Sequence, residues 1–291
     1  MKRKVLFIIN PLSGGKNKKN IPSLIEKFID RDKISPLIIY TESAGHAVEL
    51  TKEFVEKDYD TIVAVGGDGS VNEVARCLVG TNVKLGIIPL GSGNGLARHL
   101  HIPLKSEEAI LAINRGEILK MDVCKLNDNY FFSGAGVGFM GDVVHSLKNS
   151  KLRGFVGYFF HSTKHYLSYR AAKLKIEADG NIYEGKYFAV NISNSNQFGY
   201  NIKIAPDADL TDGKVELVIA KRIARWHVLG LMFDTITDRF IKNKKIIYQH
   251  SPSVTIYFDG EIKAHIDGDA VMIKDKAEIS ILPLNLNVIV P

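Results

Sequence analysis

The sequence contains little cysteine, almost no tryptophan and no long apolar run. Its 291 residues include two cysteines and one tryptophan. Cys77 falls on a predicted helix and Cys124 on a predicted strand, so we expect two buried free thiols in a reducing compartment such as the cytoplasm. No apolar stretch approaches the ~20 residues that cross a bilayer, and the short N-terminal apolar run ends in a turn, unlike a signal peptide. Any contact with a membrane is therefore expected to be peripheral.

The charge composition favours an anionic partner without naming it. Lys and Arg number 38 against 32 Asp and Glu, which gives a formal net charge of +6. A membrane surface, a nucleotide or a nucleic acid would each suit a basic chain. No basic and aromatic motif of a nucleic-acid binder is present, so we expect no nucleic-acid partner.

The N-terminal part alternates short apolar runs with amphipathic segments. We predict strands at Lys4–Ile9, Leu37–Tyr40, Thr61–Val65 and Leu85–Pro89, and helices at Ile21–Asp30, Gly45–Lys57, Ser70–Val79 and Ala109–Asn114. Strands that are apolar on both faces and alternate with helices are typical of a parallel sheet. Residues 1–122 are therefore predicted to form an α/β nucleotide-binding domain.

In the remaining chain the hydrophobic pattern is mainly that of strands and no longer alternates between strands and helices. Short strand-like runs are separated by Asp-Gly and Asn-Asp pairs, which favour hairpins. Two helical stretches interrupt them, at roughly Val143–Tyr169 and Trp226–Lys242. Residues 123–283 are predicted to form an antiparallel β domain, a sandwich or a flattened barrel.

The strongest local feature is a glycine-rich turn between a buried strand and a helix, at residues 63–73. Glycines let the backbone approach a phosphate chain, and the N–H groups of the turn and of the helix N-terminus would face the anion. Asp68 places a carboxylate in this turn, which phosphates would repel unless Mg²⁺ lay between them. A tight strand–helix turn with an incidental Asp68 is the alternative.

A second glycine-rich turn, at residues 89–97, follows the next predicted strand. Ser92 and Asn94 offer neutral hydrogen bonds suited to phosphate or ribose. Two such turns at the carboxyl ends of neighbouring parallel strands can share one crevice. The first strand also ends in a polar turn at Asn10, but the first glycine of a Walker A loop is missing there.

These motifs together resemble the diacylglycerol kinase catalytic-domain family, a branch of the NAD kinase superfamily that includes bacterial lipid kinases, sphingosine kinases and ceramide kinases. The resemblance runs over nearly the whole chain. It rests on Asn10-Pro-x-Ser-Gly, Thr41 with Gly45-His46-Ala47, Gly66-Gly-Asp-Gly-Ser-x-Asn-Glu, Pro89-x-Gly-Ser-Gly-Asn, Gly134-x-Gly-x-Gly-Phe, Ala205-Pro-Asp-Ala-x-Leu-x-Asp-Gly and Asp267-Gly-Asp.

The resemblance implies an ATP-dependent lipid kinase with ATP and Mg²⁺ as cofactors and the active site between the two domains. It also implies that the C-terminal tail, residues 284–291, returns to the first domain. The matching nucleotide positions are Asn10, Thr41, Gly66, Gly67, Asp68, Gly69, Ser70, Asn72, Gly91, Ser92 and Asn94.

The resemblance also implies a structural Mg²⁺ at the acidic stretch 207–213. By position its ligands are the carboxylate of Asp212 and the backbone carbonyls of Asp209 and Lys214. Three carboxylates within six residues repel one another unless a cation or solvent separates them. A solvated acidic turn before the next strand is the alternative.

The general base is left open between three aspartates. Relatives carry Asp-Gly-Glu before the last strands, and this chain offers Asp259-Gly-Glu261 and Asp267-Gly-Asp269, both of which could be plain hairpin turns. Distance to the C-terminal strand favours the second, so either Asp269 or Asp267 would accept the proton. Asp68 is the third candidate, because this aspartate has been assigned as the base in sphingosine kinases.

The lipid is also left open. Gly95 stands where many bacterial diacylglycerol kinases carry an acid, which tilts the expectation towards a sphingoid base or ceramide. Asp142 lies where sphingosine kinases place an acidic residue near the headgroup, although a solvated Asp at a helix start is equally consistent. The aromatic and basic stretch around Phe155–Arg170 is a candidate membrane-contact helix, with a core-facing helix as the alternative.

The function predicted from the sequence is transfer of the γ-phosphoryl group of ATP to a lipid hydroxyl at the inner membrane face. An NAD kinase-like enzyme is one rival, and a non-catalytic nucleotide- or lipid-binding regulator is another. Besides the lipid substrate and a membrane surface, a second copy of the chain in a homodimer is a further candidate partner.

Overall fold

The computed structural model describes residues 2–13, 20–148, 150, 154–197, 203–221 and 243–291. The chain divides into two compact units, Met1–Met121 with Leu284–Pro291, and Asp122–Pro283. The predicted boundary, after residue 122, lies one residue further along the chain. A mixed α/β part followed by a β-rich part is as predicted.

The first unit contains a parallel sheet. Its strands are β1 Arg3–Ile9, β2 Ile34–Tyr40, β3 Thr61–Gly66, β4 Lys84–Pro89 and the C-terminal end of β13 Asp269–Val290. They lie in the order β13, β4, β3, β1, β2. All of β3 is buried because helices cover both faces of such a sheet, which explains its continuous apolar run.

In the described part of this unit, the strands are accompanied by the helices α1 Ile21–Phe28, α2 His46–Glu56, α3 Asp68–Leu78, α4 Gly95–His99 and α5 Ser106–Arg115. Each longer helix buries one apolar stripe, as Ala47, Leu50 and Phe54 do on α2. Helix α5 ends at Gly116, whose φ of +72° closes the last turn. Helix α3 follows β3 and helix α4 follows β4 after a short turn, so their N-termini lie at the carboxyl end of the sheet.

The second unit is built mainly from antiparallel strands. Strand β5, Glu117–Leu126, enters it from the first unit, and the others are β6 Asn129–Phe131, β7 Gly134–Gly138, β8 Ala172–Ala178, β9 Asn181–Ser193, β10 Val215–Lys221, β11 Ile246–Ser251 and β12 Val254–Ile266. They run in the order β11, β10, β9, β7, β12, β13, while β8 pairs with both β9 and β12. Alternate residues of these strands form one apolar core, including Val137, Ile192 and Ala264.

Two predictions for this unit are wrong in detail. The single helix predicted at Val143–Tyr169 is two helices, α6 Phe139–Lys148 and α7 Gly154–Ser168. Ser150 lies between them and outside both helices, and serine has lower helix propensity than alanine or leucine. Asp259-Gly260 is not a hairpin turn, because β12 runs through it with a register shift between Tyr257 and Glu261.

Other predictions can be compared only in part. The predicted helix Trp226–Lys242 lies within residues 222–242, which are outside the described residues. Cys77 and Cys124 are both free, as predicted, although Cys77 is only half-buried. Within the described part of the chain, no helix is both long and apolar enough to cross a membrane.

Candidate active site

The two glycine-rich turns meet backbone to backbone in the first unit. The N–H of Leu90 donates to the carbonyl of Gly66 at 2.7 Å. A Cβ added at Gly91 would lie 2.6 Å from Cα of Gly67, and one added at Gly67 would lie 3.2 Å from Cα of Gly91. A side chain is therefore excluded at Gly91, and one at Gly67 would push the two backbones apart by a few tenths of an ångström, so the glycines are needed for the approach of the turns rather than for flexibility alone.

Asp68 joins the same two turns through its side chain. Its two carboxylate oxygens accept the backbone N–H groups of Asn94 at 2.8 Å and Gly95 at 2.7 Å. Burial raises the pKa of this carboxyl, while the two backbone hydrogen bonds and the nearby Arg98 act in the opposite direction. A carboxylate oxygen has two lone-pair directions, so these bonds leave Asp68 capacity to bind a cation.

The second turn is held in shape by its own side chains. Asn94 adopts a left-handed conformation with φ of +51° and donates from Nδ2 to the carbonyl of Gly91 at 2.7 Å. Nε of Arg98 donates to the carbonyl of Gly93 at 3.0 Å. Asn94 is thus buried inside the turn, whereas Ser92 is exposed on it.

A cavity of about 240 Å³ lies beside the first turn, within the first unit. Three of the predicted nucleotide residues line it, namely Asn10, Thr41 and Ser70. Nδ2 of Asn10 donates to Oγ of Ser70 at 3.0 Å, which connects the end of β1 to α3. Glu42 and Glu73 also line the cavity and were not singled out from the sequence. Asn72, Gly91, Ser92 and Asn94 do not line it.

The acidic stretch 207–214 is a tight turn in the second unit. Oδ1 of Asp209 accepts the N–H and the hydroxyl of Thr211, at 2.8 and 2.7 Å. Oδ1 of Asp212 accepts the N–H of Lys214 at 2.9 Å. Oxygen donors of this kind suit Mg²⁺. The described residues contain no group of three or more His, Cys, Asp or Glu side chains that could hold a metal. The predicted Mg²⁺ site has one carboxylate and two backbone carbonyls, so it does not depend on such a group.

Asp122 is a buried acid beside this turn that the sequence analysis missed. Its Oδ2 accepts the N–H of Gly213 at 2.7 Å, and its side chain is fully buried. Burial and then the carboxylates of Asp122, Asp267 and Asp212 hold the pKa of the Cys124 thiol well above its usual range. The negative charge gathered here fits a cation at the acidic turn. The sequence signal that could have identified Asp122 is an acidic residue within the mostly apolar run Met121–Leu126, which lies in β5.

Asp267 and Asp269 occupy a two-residue hairpin between β12 and β13. Asp267 and Gly268 have φ of +47° and +89°, and Ile266 pairs with Asp269. The Asp267 carboxylate accepts three backbone N–H groups, from Phe132 at 2.9 Å, Ser133 at 2.8 Å and Gly134 at 2.9 Å. These three bonds hold the Asp267 carboxylate against the turn at residues 132–134. Asp269, the first residue of β13, is exposed beside the same turn.

Asp142, the candidate headgroup acid, is engaged by a cation of its own chain. Nζ of Lys263 lies 2.8 Å from Oδ1 of Asp142. Helix α6 approaches β12 closely at this point, because a Cβ on Gly141 would lie 2.2 Å from the carbonyl oxygen of Lys263. Phe139 begins the same helix and packs against the rings of Tyr166, Tyr169 and Phe188. At least part of the aromatic stretch therefore packs inside the unit.

Comparisons with known proteins agree with this architecture. Residues 4–126 match the model of the diacylglycerol kinase catalytic domain, and residues 135–290 match the YegS C-terminal NAD kinase beta sandwich-like domain. The chain belongs to the diacylglycerol kinase catalytic-domain family. The resemblance inferred from the motifs is thereby confirmed, and membership of this family supports a kinase that acts on lipids.

Named relatives in this family come from several bacteria. A diacylglycerol kinase of Staphylococcus carnosus (strain TM300) is 28% identical over 275 residues, covering 92% of this chain and 89% of the relative. A diacylglycerol kinase of Staphylococcus aureus (strain MRSA252) is 29% identical, covering 92% of this chain and 87% of the relative. A crystal structure of a diacylglycerol kinase from Bacillus anthracis (strain Sterne) matches with a TM-score of 0.76 and 22% identity, covering 99% of this chain and 97% of that one. At that identity the structural match supports the fold alone.

Proposed function

We propose that the chain transfers the γ-phosphoryl group of ATP to the hydroxyl of diacylglycerol, with Mg²⁺ as the metal. The observation that carries the nucleotide part is the junction of the two glycine-rich turns at Asp68. Backbone amides after β3 and β4 can face a phosphate chain there, and helix α3 adds the positive end of its dipole. Asn10, Thr41 and Ser70 line a cavity beside this turn that suits the nucleoside part.

Two sites would hold metal. Asp68 would bind the catalytic Mg²⁺, directly or through water, and Asp212 with the carbonyls of Asp209 and Lys214 would hold a structural one. When bound, the catalytic ion supplies positive charge that offsets the charge of the transferring phosphoryl group. The acidic turn beside Asp122 is consistent with the second ion, because its carboxylates and carbonyls are hard oxygen donors.

The acceptor hydroxyl needs a base because it is a weak nucleophile. Asp269 would accept its proton while the oxygen bonds to the γ-phosphorus and the bond to the bridging oxygen of ADP breaks. Asp269 is exposed to solvent, where a lipid hydroxyl can approach it, and the Asp267 carboxylate accepts three N–H groups that hold the turn. Asp267 therefore orients the turn in this proposal and Asp269 performs the proton transfer. Positioning and charge compensation provide most of the rate enhancement in phosphoryl transfer.

A neutral lipid headgroup is favoured over an amino-alcohol. A protonated amine would need an anion that is not already paired, and Asp142 is paired with Lys263. The curated relatives at 28% and 29% identity carry the name diacylglycerol kinase. Both observations point away from the sphingoid substrate expected from Gly95, so diacylglycerol is the substrate we propose.

Contact with an anionic membrane is part of the same proposal, since the substrate resides there. Helix α7 exposes 52% of Phe160, and Lys164 and Arg170 at its C-terminal end are also exposed. Lysine and arginine near a membrane surface each contribute about 1 kcal/mol of attraction to anionic lipids. We therefore propose that the enzyme works at the inner face of the cytoplasmic membrane, bound peripherally.

The test is an acceptor panel with ATP labelled in the γ-phosphate. Separate reactions contain diacylglycerol, sphingosine or ceramide in anionic vesicles, or NAD in solution, each with Mg²⁺. We expect label in the diacylglycerol product. Label in NAD would instead support the alternative suggested by the NAD kinase-like C-terminal domain model. Binding of ATP without transfer to any acceptor would support a non-catalytic regulator.

A further inference from the structure

One short turn in the second unit is hydrogen-bonded to the Asp267–Asp269 hairpin and is linked to the acidic turn through Asn194 and Asp122. This turn, residues 132–134, connects β6 to β7. Its three N–H groups donate to the carboxylate of Asp267, as described above. The N–H of Asp267 in return donates to the carbonyl of Gly134 at 2.8 Å. The turn therefore fixes the hairpin that presents Asp269.

The carbonyl groups of the same turn are held from the other side by Asn194. Its Nδ2 donates to the carbonyl of Phe132 at 3.1 Å, and its backbone N–H donates to the carbonyl of Ser133 at 2.9 Å. The N–H of Ser195 donates to the carbonyl of Ser133 as well, at 2.9 Å. The peptide groups of residues 132–134 are thus bound on both their donor and acceptor sides.

Asn194 also reaches the acidic turn through Asp122. The same Nδ2 donates to the carbonyl of Asp122 at 3.2 Å. Asp122 binds that turn twice, because its N–H donates to the carbonyl of Leu210 and its Oδ2 accepts the N–H of Gly213, both at 2.7 Å. One amide nitrogen therefore bonds to the residue that holds the predicted metal turn and to the turn that holds the predicted base.

The placement makes this nitrogen difficult to replace. Asn194 is 1% exposed, Phe132 is 1% exposed and Asp122 is fully buried, so water does not readily take over these bonds. Two carbonyl acceptors also fix which end of the amide carries the nitrogen. Only a side chain with two N–H donors on one atom, at the length of asparagine, satisfies both carbonyls from this position.

We propose that Asn194 is a positioning residue that couples the acidic turn 209–214 to the Asp267–Asp269 hairpin. Binding of a cation at the acidic turn would then order the hairpin, and a change in the conformation of either segment would alter that of the other. The role of these two segments rests on the proposed function, whereas the coupling itself is a property of the hydrogen bonds and can be measured without catalysis.

The test compares Asn194→Ala with Asn127→Ala. Asn127 is a matched control because it also bridges strands of the second unit with two side-chain hydrogen bonds, to the carbonyl of Lys276 and from the N–H of Glu278. It has no bond to residues 132–134 or 209–214 among the contacts described for it. Both variants should lose some thermal stability, so stability alone does not separate them.

Amide hydrogen exchange gives the first readout, measured with and without Mg²⁺. In Asn194→Ala we expect exchange of the 132–134 amides and of the Gly213 amide to accelerate by about tenfold or more, since these groups lose their shared support. We also expect Mg²⁺ to slow exchange at 132–134 in the unaltered chain and in Asn127→Ala, but not in Asn194→Ala. If Asn194→Ala does not fold, Asn194→Ser retains one donor and should show the same pattern with a smaller change.

The second readout is the Mg²⁺ concentration that gives half of the maximal rise in melting temperature. It should increase about threefold or more in Asn194→Ala and stay unchanged in Asn127→Ala. Equal exchange at 132–134 and equal Mg²⁺ response in the two variants would overturn the coupling. If the exchange pattern appears as expected but no acceptor is phosphorylated, the coupling stands and the proposed function fails, so the two failures are distinguishable.

Discussion

The carboxylate of Asp68 accepts a hydrogen bond of 2.7 Å from the backbone N–H of Gly95. The aspartate of the first glycine-rich turn thereby holds the second turn in place, in addition to any role with a metal ion. Removal of Asp68 is consequently expected to affect both the conformation of the phosphate site and its charge.

Asp68→Asn and Asp68→Ala should separate these two roles. We expect both variants to lower phosphoryl transfer by about 10³-fold or more, because the negative charge that recruits Mg²⁺ is lost. The alanine variant also leaves the N–H groups of Asn94 and Gly95 without their acceptor, and should lower the free energy of unfolding by about 2 kcal/mol. The asparagine variant keeps one acceptor oxygen and should lose less stability. Substantial transfer by either variant would remove Asp68 from the mechanism.

At the acidic turn, Asp212→Asn should abolish the Mg²⁺-dependent rise in melting temperature. Its carboxylate is the predicted ligand. Asp209→Asn is the matched control, because Asp209 is predicted to contribute only its backbone carbonyl and its Oδ1 acceptor is retained by asparagine. We expect the control to keep most of the Mg²⁺ response, measured by thermal denaturation across a Mg²⁺ titration. Identical responses from both variants would indicate a solvated turn instead.

The two aspartates of the hairpin should respond differently to the same change. Asp267→Asn replaces a charged acceptor of three N–H groups, and we expect a loss of about 2 kcal/mol or more in unfolding free energy. Asp269→Asn should lower kcat by about 10²-fold or more and cost less unfolding free energy than Asp267→Asn. Denaturant unfolding and steady-state kinetics on the same preparations check both. A normal kcat in Asp269→Asn would return the base assignment to Asp68 or Asp267.

Lys263 should influence lipid preference. Lys263→Met would leave Asp142 without its paired cation, so we expect turnover of sphingosine relative to diacylglycerol to rise about threefold to tenfold. Asp142→Asn, which removes the anion, should not produce this rise. The ratio of initial rates on the two lipids in otherwise identical vesicles is the measurement, and no change in that ratio would place Asp142 away from the headgroup.

His265 should make the stability of the second unit depend on pH. The ring lies opposite Gly136 on β7, and burial lowers its pKa from 6.5 to about 4. The unfolded chain therefore binds a proton at pH values where the folded chain does not. This contribution is fully present above about pH 6.5 and is lost as pH falls towards 4, by about 3 kcal/mol in total.

The control for this effect is His265→Gln, which cannot titrate. We expect the unaltered chain to lose more unfolding free energy than this variant between pH 7.5 and pH 4.5. Gln keeps a polar side chain above Gly136, where a Cβ would lie 2.9 Å from Nε2 of His265 and 3.1 Å from Oδ1 of Asn191. Parallel pH dependences for the two proteins would exclude His265 as the titrating group.

The architecture could be predicted from the sequence because local patterns, such as apolar runs and glycine positions, agree with the fold. Strand β3 reads as a continuous apolar run and is buried on both faces, and the glycines that follow it are those that the backbone approach requires. The residues at Asn10, Thr41 and Ser70 could be selected from motifs and do line one cavity.

What the sequence could not provide are contacts between residues far apart in the chain. Asp122 looks like an isolated acid in a strand until β5 is placed beside residues 210–213. Asn194 is not marked by any turn motif or hydrophobic periodicity in the sequence. Its role depends on three carbonyl groups that the sheet brings together. The pairing of Asp142 with Lys263 joins residues 121 positions apart, which no local pattern predicts.

The most direct measurement is a single-turnover reaction of the protein with γ-labelled ATP, Mg²⁺ and anionic vesicles that contain diacylglycerol, run beside the Asp68→Asn variant. We expect the label to appear in phosphatidate with the unaltered chain and to remain in ATP with the variant. Absence of labelled phosphatidate while ATP binds normally, or equal labelling by both proteins, would contradict the assignment of this chain as a diacylglycerol kinase that works through Asp68.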